Sequence, residues 1–182
     1  MKIALVMLMM SVLLLLPHPA SSYQQIEAKI GDEIPDFSFT DFNGQARKLS
    51  DFKGKYVLLD FWGTWCSPCV AELPALKEVY GKFRVRNFEI LGMDNEFGWE
   101  HPSADERMKL AKRAQAFIAE KNIPWTQATS ESIATLAQER FRVKSYPMKL
   151  LLDPQRRVVL KLGVKGFDEL TTTLEKLLPP AR

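Results

Sequence analysis

An α/β sandwich built on one mixed sheet follows from three features of this 182-residue sequence. Two apolar runs, Tyr56–Trp62 and 88–93, show no polar alternation, which suits strands covered on both faces. Stretches with apolar residues at helical spacing follow each run. Near the end, Met148–Leu152 and Val158–Leu162 flank an Asp153-Pro154 turn and read as a hairpin. The order is a hairpin, then βαβα with an extra helix, then ββα, which gives a central mixed sheet flanked by helices.

The elements follow in chain order. Phe37, Phe39 and Phe42 lie near the tight-turn dipeptide Asn43-Gly44, and a short hairpin closed by Leu49 is expected, with a loop over 50–55. After the first buried strand, Gly63-Thr64-Trp65 is a turn. A helix then starts at Cys66 and carries Val70, Leu73, Leu76 and Val79 to an end near Gly81. Pro74 lies inside it and should kink it. After the second strand, 95–102 is a loop. Ser103 and Glu106 form a capping-box signature ahead of Leu110, Ala114, Phe117 and Ile118, with Asn122 and Pro124 as the stop. A short strand is expected at 125–129, then a helix capped by Ser130 or Ser132 and running to about Arg140. Gly163 and Gly166 lead into a last helix with Phe167, Leu170, Leu174, Leu177 and Leu178 on one face, ended by Pro179-Pro180.

Residues 1–22 read as a secretory signal peptide. Met1-Lys2 is a positive start, 3–16 is apolar apart from Ser11, and Ala20-Ser21-Ser22 offers small residues for cleavage. The run is shorter than the roughly 20 residues needed to span a bilayer, so no stable membrane anchor is expected after cleavage. An uncleaved anchor is the competing reading. Export implies a periplasmic or other extracytoplasmic location, where a thiol pair can be oxidised. The net charge of +3 is too small a bias for a nucleic-acid partner. Two cysteines are too few for a disulfide scaffold, a four-cysteine zinc site or an iron–sulfur cluster.

Both cysteines fall in Trp65-Cys66-Ser67-Pro68-Cys69, directly after a buried strand and at a helix start. Unpaired backbone N–H groups and the positive end of the helix dipole favour a thiolate at Cys66, which is expected to meet solvent. The thiolate attacks a disulfide, and Cys69, one turn inward, is placed to resolve the mixed disulfide. Pro68, lacking an N–H, suits the first turn. A structural bridge closing so short a loop would stabilise little. A zinc site lacks ligands, since His101 is the one histidine after the leader; no metal and no cofactor are expected. Asp60 is the acid that breaks an apolar strand. Burial should raise its pKa toward neutral pH, the range a general base needs. A strand-edge acid facing solvent is the alternative. Trp99 and His101 lie in the 95–102 loop, where a lone histidine is expected at the surface.

The stretch 60–69, Asp-Phe-Trp-Gly-Thr-Trp-Cys-Ser-Pro-Cys, resembles the active-site segment of thioredoxins, with Asp60 at the buried aspartate and Pro74 at the helix proline. This resemblance implies that the proton Asp60 takes is that of Cys69. The lead-in Ile34-Pro35-Asp36-Phe37, the segment 49–55 and the segment 69–74 resemble the extracytoplasmic TlpA/ResA-type oxidoreductases, and the lead-in is shared with AhpC/TSA redoxins. The resemblance spans about 30–178 and implies a thioredoxin-like domain over 30–180. It also implies a cis-proline facing the thiols. Pro147 has the right context, and the residue before it, Tyr146, would offer its backbone to an extended substrate. Tyr146 and Met148 depart from the usual small residue and threonine around that proline. Glu72 resembles the acid after the CxxC of ResA-type proteins and is a second candidate base; a solvated helix glutamate is the alternative. Trp62 and Trp65 would frame the site, with core packing an alternative for Trp62.

The expected function is thiol–disulfide exchange with other secreted proteins through Cys66 and Cys69, in the reducing direction. Protein disulfides would be the substrates, and a thiol donor, such as a membrane thiol carrier, would resupply electrons. The chain is expected to act as a monomer. A thiol peroxidase is the first alternative, but the peroxiredoxin pattern needs a proline and a hydroxyl residue where this chain has Leu59 and Gly63. A copper chaperone is the second; its relatives use C-x-x-x-C, and this chain has C-x-x-C.

Overall fold

The computed structural model describes residues 28–178. The leader expected at 1–22 and the stop at Pro179-Pro180 lie outside them. The chain opens with a two-stranded antiparallel hairpin, β1 (Ser38–Thr40) and β2 (Ala46–Lys48). A short 3-10 turn, Leu49–Phe52, begins at the residue expected to close the hairpin and runs into the stretch expected to be loop. It forms because the Asp51 carboxylate accepts from the Lys48 N–H, closing the turn locally. The main sheet has five strands in the order β5 (Thr126–Ala128), β4 (Phe88–Asp94), β3 (Tyr56–Trp62), β6 (Met148–Leu152), β7 (Val158–Leu162). β3, β4 and β5 are parallel, and β6 and β7 run antiparallel, so the sheet is mixed. The helices are α1 (Ser67–Phe83), α2 (Ala104–Glu120), α3 (Ser130–Thr135, continued by a π-turn over Leu136–Arg140) and α4 (Phe167–Leu177).

Strand parity divides the core into two layers. Val57, Leu59 and Phe61 of β3 join Leu91, Met93, Leu150 and Leu152 beneath the N-terminal hairpin and α3. Leu58 and Trp62 point the other way, toward α1 and α4, with Leu151, Leu73, Leu76, Leu170 and Leu174. Both cysteines belong to this second layer. α1 continues across Pro74 to Phe83, two residues beyond the expected end. Thr129, rather than Ser130 or Ser132, caps α3; Ser130 is buried and its hydroxyl is used elsewhere. Leu177, expected on the buried face of α4, is exposed, because the helix ends there and Leu178 turns inward as extended chain. The capping box of α2 is present at Ser103 and Glu106. Among the described residues no helix is long and apolar enough to cross a membrane.

Candidate active site

Cys66 is the N-cap of α1, in extended backbone, and its Sγ accepts from the Cys69 N–H at 3.3 Å. Pro68 sits in the first turn, where no donor is needed. The two sulfurs are joined, with S–S 2.05 Å and Cα–Cα 5.3 Å. Cys66 is expected from the sequence to meet solvent, but in this disulfide state it is 4% exposed and Cys69 is 3% exposed. Tyr146 packs against the layer that holds both cysteines, and the Trp65 ring lies 5.2 Å from the Tyr146 ring. Position in the helix therefore distinguishes the two sulfurs here, and exposure does not.

A polar row crosses the sheet in this same layer. The register pairs Lys149 of β6 with Asp60 of β3, Asp60 with Gly92 of β4, and Gly92 with Gln127 of β5. Asp60 lies between Leu58 and Trp62 in sequence parity, so it shares their face and that of the cysteines. It is buried, which rules out the solvent-facing strand edge. Burial pushes its pKa up to about 6; the Lys149 ammonium opposes this and the Glu72 carboxylate adds to it. Lys149 is 1% exposed. Its Nζ lies 2.5 Å from Glu72 Oε2 and 4.0 Å from Asp60 Oδ1, over the ring of Phe167 at 5.4 Å. Glu72 Oε1 accepts from the Lys165 N–H at 2.8 Å. Glu72 is thus a bound carboxylate within the fold, and the solvated-glutamate alternative fails.

At the far end of the row, Gln127 lies across Gly92. A Cβ there would stand 1.9 Å from Gln127 Oε1, so this close approach requires glycine. That oxygen accepts from the Trp62 indole at 2.9 Å. Trp62 is a core residue, buried, with its ring tilted 40° against that of Phe117 at 5.9 Å.

The loop after β4 fastens the cysteine turn to the Tyr146-Pro147 turn. The Asn95 carbonyl accepts from Trp65 Nε1 at 2.9 Å, and Gly63 leaves room for that indole. Asn95 Nδ2 donates to the Gly98 carbonyl at 2.9 Å and to Tyr146 Oη at 2.6 Å. The Glu96 carboxylate accepts from the Thr64 N–H at 2.5 Å, the Thr64 hydroxyl at 2.6 Å and Arg113 at 2.5 Å. Ser130 Oγ accepts from the Glu96 N–H and donates to Asp94. Burial, and then the neighbouring Glu96 charge, hold the Asp94 carboxyl well above the usual carboxylate range. Trp99 stands with its ring 5.4 Å from Tyr146 and 6.0 Å from Trp65. Trp65 is 40% and Trp99 55% exposed, so two indoles and a half-buried phenol form a shelf beside the disulfide. A hollow of about 490 Å³ adjoins it, lined by Trp65, Phe97, Trp99 and Glu100. A larger hollow of about 570 Å³, near Ser50, Val57 and Asp153, sits at the opposite end of β3 and holds none of this chemistry. His101 is exposed.

The Tyr146–Pro147 bond is cis, and Pro147 directly precedes the Phe61↔Met148 pair, placing it at the cysteine end of β3. Of the residues brought together here, Cys66, Cys69 and Asp60 stand out in the sequence itself, and Glu72, Trp65, Tyr146 and Pro147 through the family resemblance. Lys149, Asn95, Glu96 and Gln127 are found only in the structure. Lys149 carried the same signal as Asp60, a charge inside an apolar strand.

A two-cysteine pair at a helix N-terminus, at the end of a central strand of such a sheet, defines a thioredoxin-like thiol–disulfide oxidoreductase. The chain belongs to the AhpC/TSA family, whose model matches residues 30–175, and it is of the TlpA/ResA type. It is similar to the thiol-disulfide oxidoreductase ResA of Bacillus cereus (strain ZK / E33L), at 32% identity over 152 residues, 83% of this chain and 80% of that protein. The ResA of Bacillus subtilis (strain 168) is 44% identical over 64 residues, 35% of this chain and 36% of that one. The solution structure of a thiol:disulfide interchange protein from Bacteroides sp. superposes with a TM-score of 0.67 at 30% identity, covering 86% of this chain and 95% of that one.

Proposed function

We infer that this protein works outside the cytoplasm as a reductase of disulfides in other exported proteins. One observation carries the reading: a buried acid of raised pKa, Asp60, shares by strand parity the sheet face of Leu58 and Trp62, which pack in the layer that holds the Cys66–Cys69 pair. Reduction begins when the Cys66 thiolate attacks a substrate disulfide. One substrate sulfur leaves as a thiolate, and the other is joined to Cys66. Asp60 takes the proton of Cys69, whose thiolate then attacks Cys66 Sγ. The Cys66–Cys69 bond forms, and the second substrate thiol departs with the proton. Two electrons have passed to the substrate, and a thiol donor, such as a membrane thiol carrier, must return them. The apolar leader at 1–22 supports export, and the aromatic shelf beside Pro147 supports a polypeptide substrate. The protein acts as a monomer, with no nucleic-acid partner.

A Cys69→Ser variant, expressed with the natural leader, tests this. Exported proteins should accumulate on Cys66 as mixed disulfides that a reducing agent releases. Equilibration with glutathione should place the pair nearer thioredoxin than the strong oxidants, below about −200 mV. A potential near that of the strong oxidants would sink the reducing direction. A thiol peroxidase is the second reading, because AhpC/TSA is the matching family. Thr64 is the nearest hydroxyl before Cys66 in sequence, and its Oγ1 is given to Glu96. Peroxide turnover faster than insulin reduction would favour that second reading.

A further inference from the structure

The buried Lys149 stands between the two acids that compete for the role of base. A lysine removed from water needs partners, since an isolated buried ammonium is strongly disfavoured. Lys149 satisfies this need unequally: its Nζ is 2.5 Å from Glu72 and 4.0 Å from Asp60. Glu72 is held at both oxygens, by Lys149 and by the Lys165 N–H, while Asp60 Oδ1 has no hydrogen-bond partner. We propose that Lys149 is the positioning residue of the redox site, locking Glu72 in an ion pair so that Asp60 alone receives the Cys69 proton. This rests on Asp60 acting as the base, as argued above. Glu72, the rival candidate, is then a structural counter-ion that ties α1 to β6 and to the turn before α4.

The charges facing Asp60 are few. β6 presents Lys149; α1 presents Glu72 and the cysteine pair; β4 presents Gly92; and Gln127, one strand further, carries no charge. Among them Lys149 favours ionised Asp60 more strongly than Glu72 disfavours it. Removing the cation leaves two carboxylates facing each other across a buried layer, and Asp60 should ionise at higher pH.

The test uses a symmetric nitroaryl disulfide in stopped flow with the reduced protein. The first coloured thiolate reports attack by Cys66, and the second reports resolution by Cys69. In the wild type the second phase should rise with pH through an inflection near the Asp60 value of about 6. Lys149→Met should move that inflection up by about one pH unit or more. Lys149→Arg, which keeps the cation, should return it toward the wild-type position. If Lys149→Met does not fold, the double variant Lys149→Met/Glu72→Gln removes the pair without stranding a charge, and its inflection should also lie above the wild type. Glu72→Gln alone should retain an inflection. A profile for the Lys149→Met or double variant that superimposes on the wild type overturns the proposal, as does loss of the inflection in Glu72→Gln. Retention of the inflection in Asp60→Asn would instead overturn the reading of Asp60 as base, so the two failures are distinguishable.

Discussion

Asn95 and Tyr146 are joined side chain to side chain at 2.6 Å, which couples the loop after β4 to the cis-proline turn 51 residues later. The same Asn95 amide holds the Gly98 carbonyl, and its backbone carbonyl holds the Trp65 indole. One buried residue thus sets the relative position of the three aromatic side chains beside the disulfide. Asn95→Ala should cost about 2 kcal/mol, the sum of two buried hydrogen bonds, and lower the melting temperature by several degrees. Tyr146→Phe removes only one of them and should cost about half as much. Thermal melts of the oxidised protein check this, and equal melting of Asn95→Ala and wild type would refute the coupling.

Trp99 contributes a second face to the shelf without being part of the core, so its loss should be felt by large substrates first. Trp99→Ala should lower kcat/KM for insulin roughly two- to tenfold, the range expected for one aromatic partner. The loss should be smaller with a small nitroaryl disulfide, which cannot reach across to the indole. Equal losses with both would place the effect on the thiols rather than on the docked chain.

Asp60 links the site to stability. An acid whose folded pKa is raised keeps its proton longer in the native state than in the unfolded chain. Between the ordinary aspartate value of 3.8 and about 6 the native state therefore binds more protons, and stability falls as pH rises through that window. Above it the full penalty remains, about 3 kcal/mol. Asp60→Asn should raise the melting temperature at pH 7, and the gain should fade below about pH 4. Asp94 shifts in the same direction but is common to both proteins, so the difference between wild type and variant isolates Asp60. A variant that melts below the wild type at neutral pH would contradict this account.

The cysteine pair and Asp60 were legible because each breaks a local rule: two cysteines at a helix start, and one acid in an apolar strand. Lys149 breaks the same rule in Met148–Leu152, yet that segment reads simply as a strand, since four apolar neighbours outweigh one long side chain with an apolar stem. The clamp of Asn95 and Glu96 left no local trace. Its partners Thr64, Trp65, Arg113 and Tyr146 lie 17 to 51 residues away, and only the parallel crossover brings them together. Leu177 failed for the opposite reason: helical periodicity extends a face past the residue where the helix stops.

The closest packing in the site gives the last prediction. Gly92 sits between Asp60 and Gln127 in the sheet register, and the Gln127 amide covers it. A methyl group there would meet Gln127 Oε1 at 1.9 Å and Cδ at 2.4 Å, which no rotamer adjustment within the present hydrogen bond can absorb. In Gly92→Ala the glutamine must swing away, and the buried Trp62 indole then loses its acceptor. An unmet buried donor costs about 1–3 kcal/mol, so Gly92→Ala should destabilise the fold by about that much. Gln127→Ala alone should cost a similar amount, because it strands the same indole. The two losses have one cause, so they should not add: the double variant Gly92→Ala/Gln127→Ala should be about as stable as either single variant, with a coupling energy of at least about 1 kcal/mol. Denaturant unfolding of the four proteins measures this cycle. Strict additivity would mean that Gly92 is required for some other reason than the glutamine lying across it.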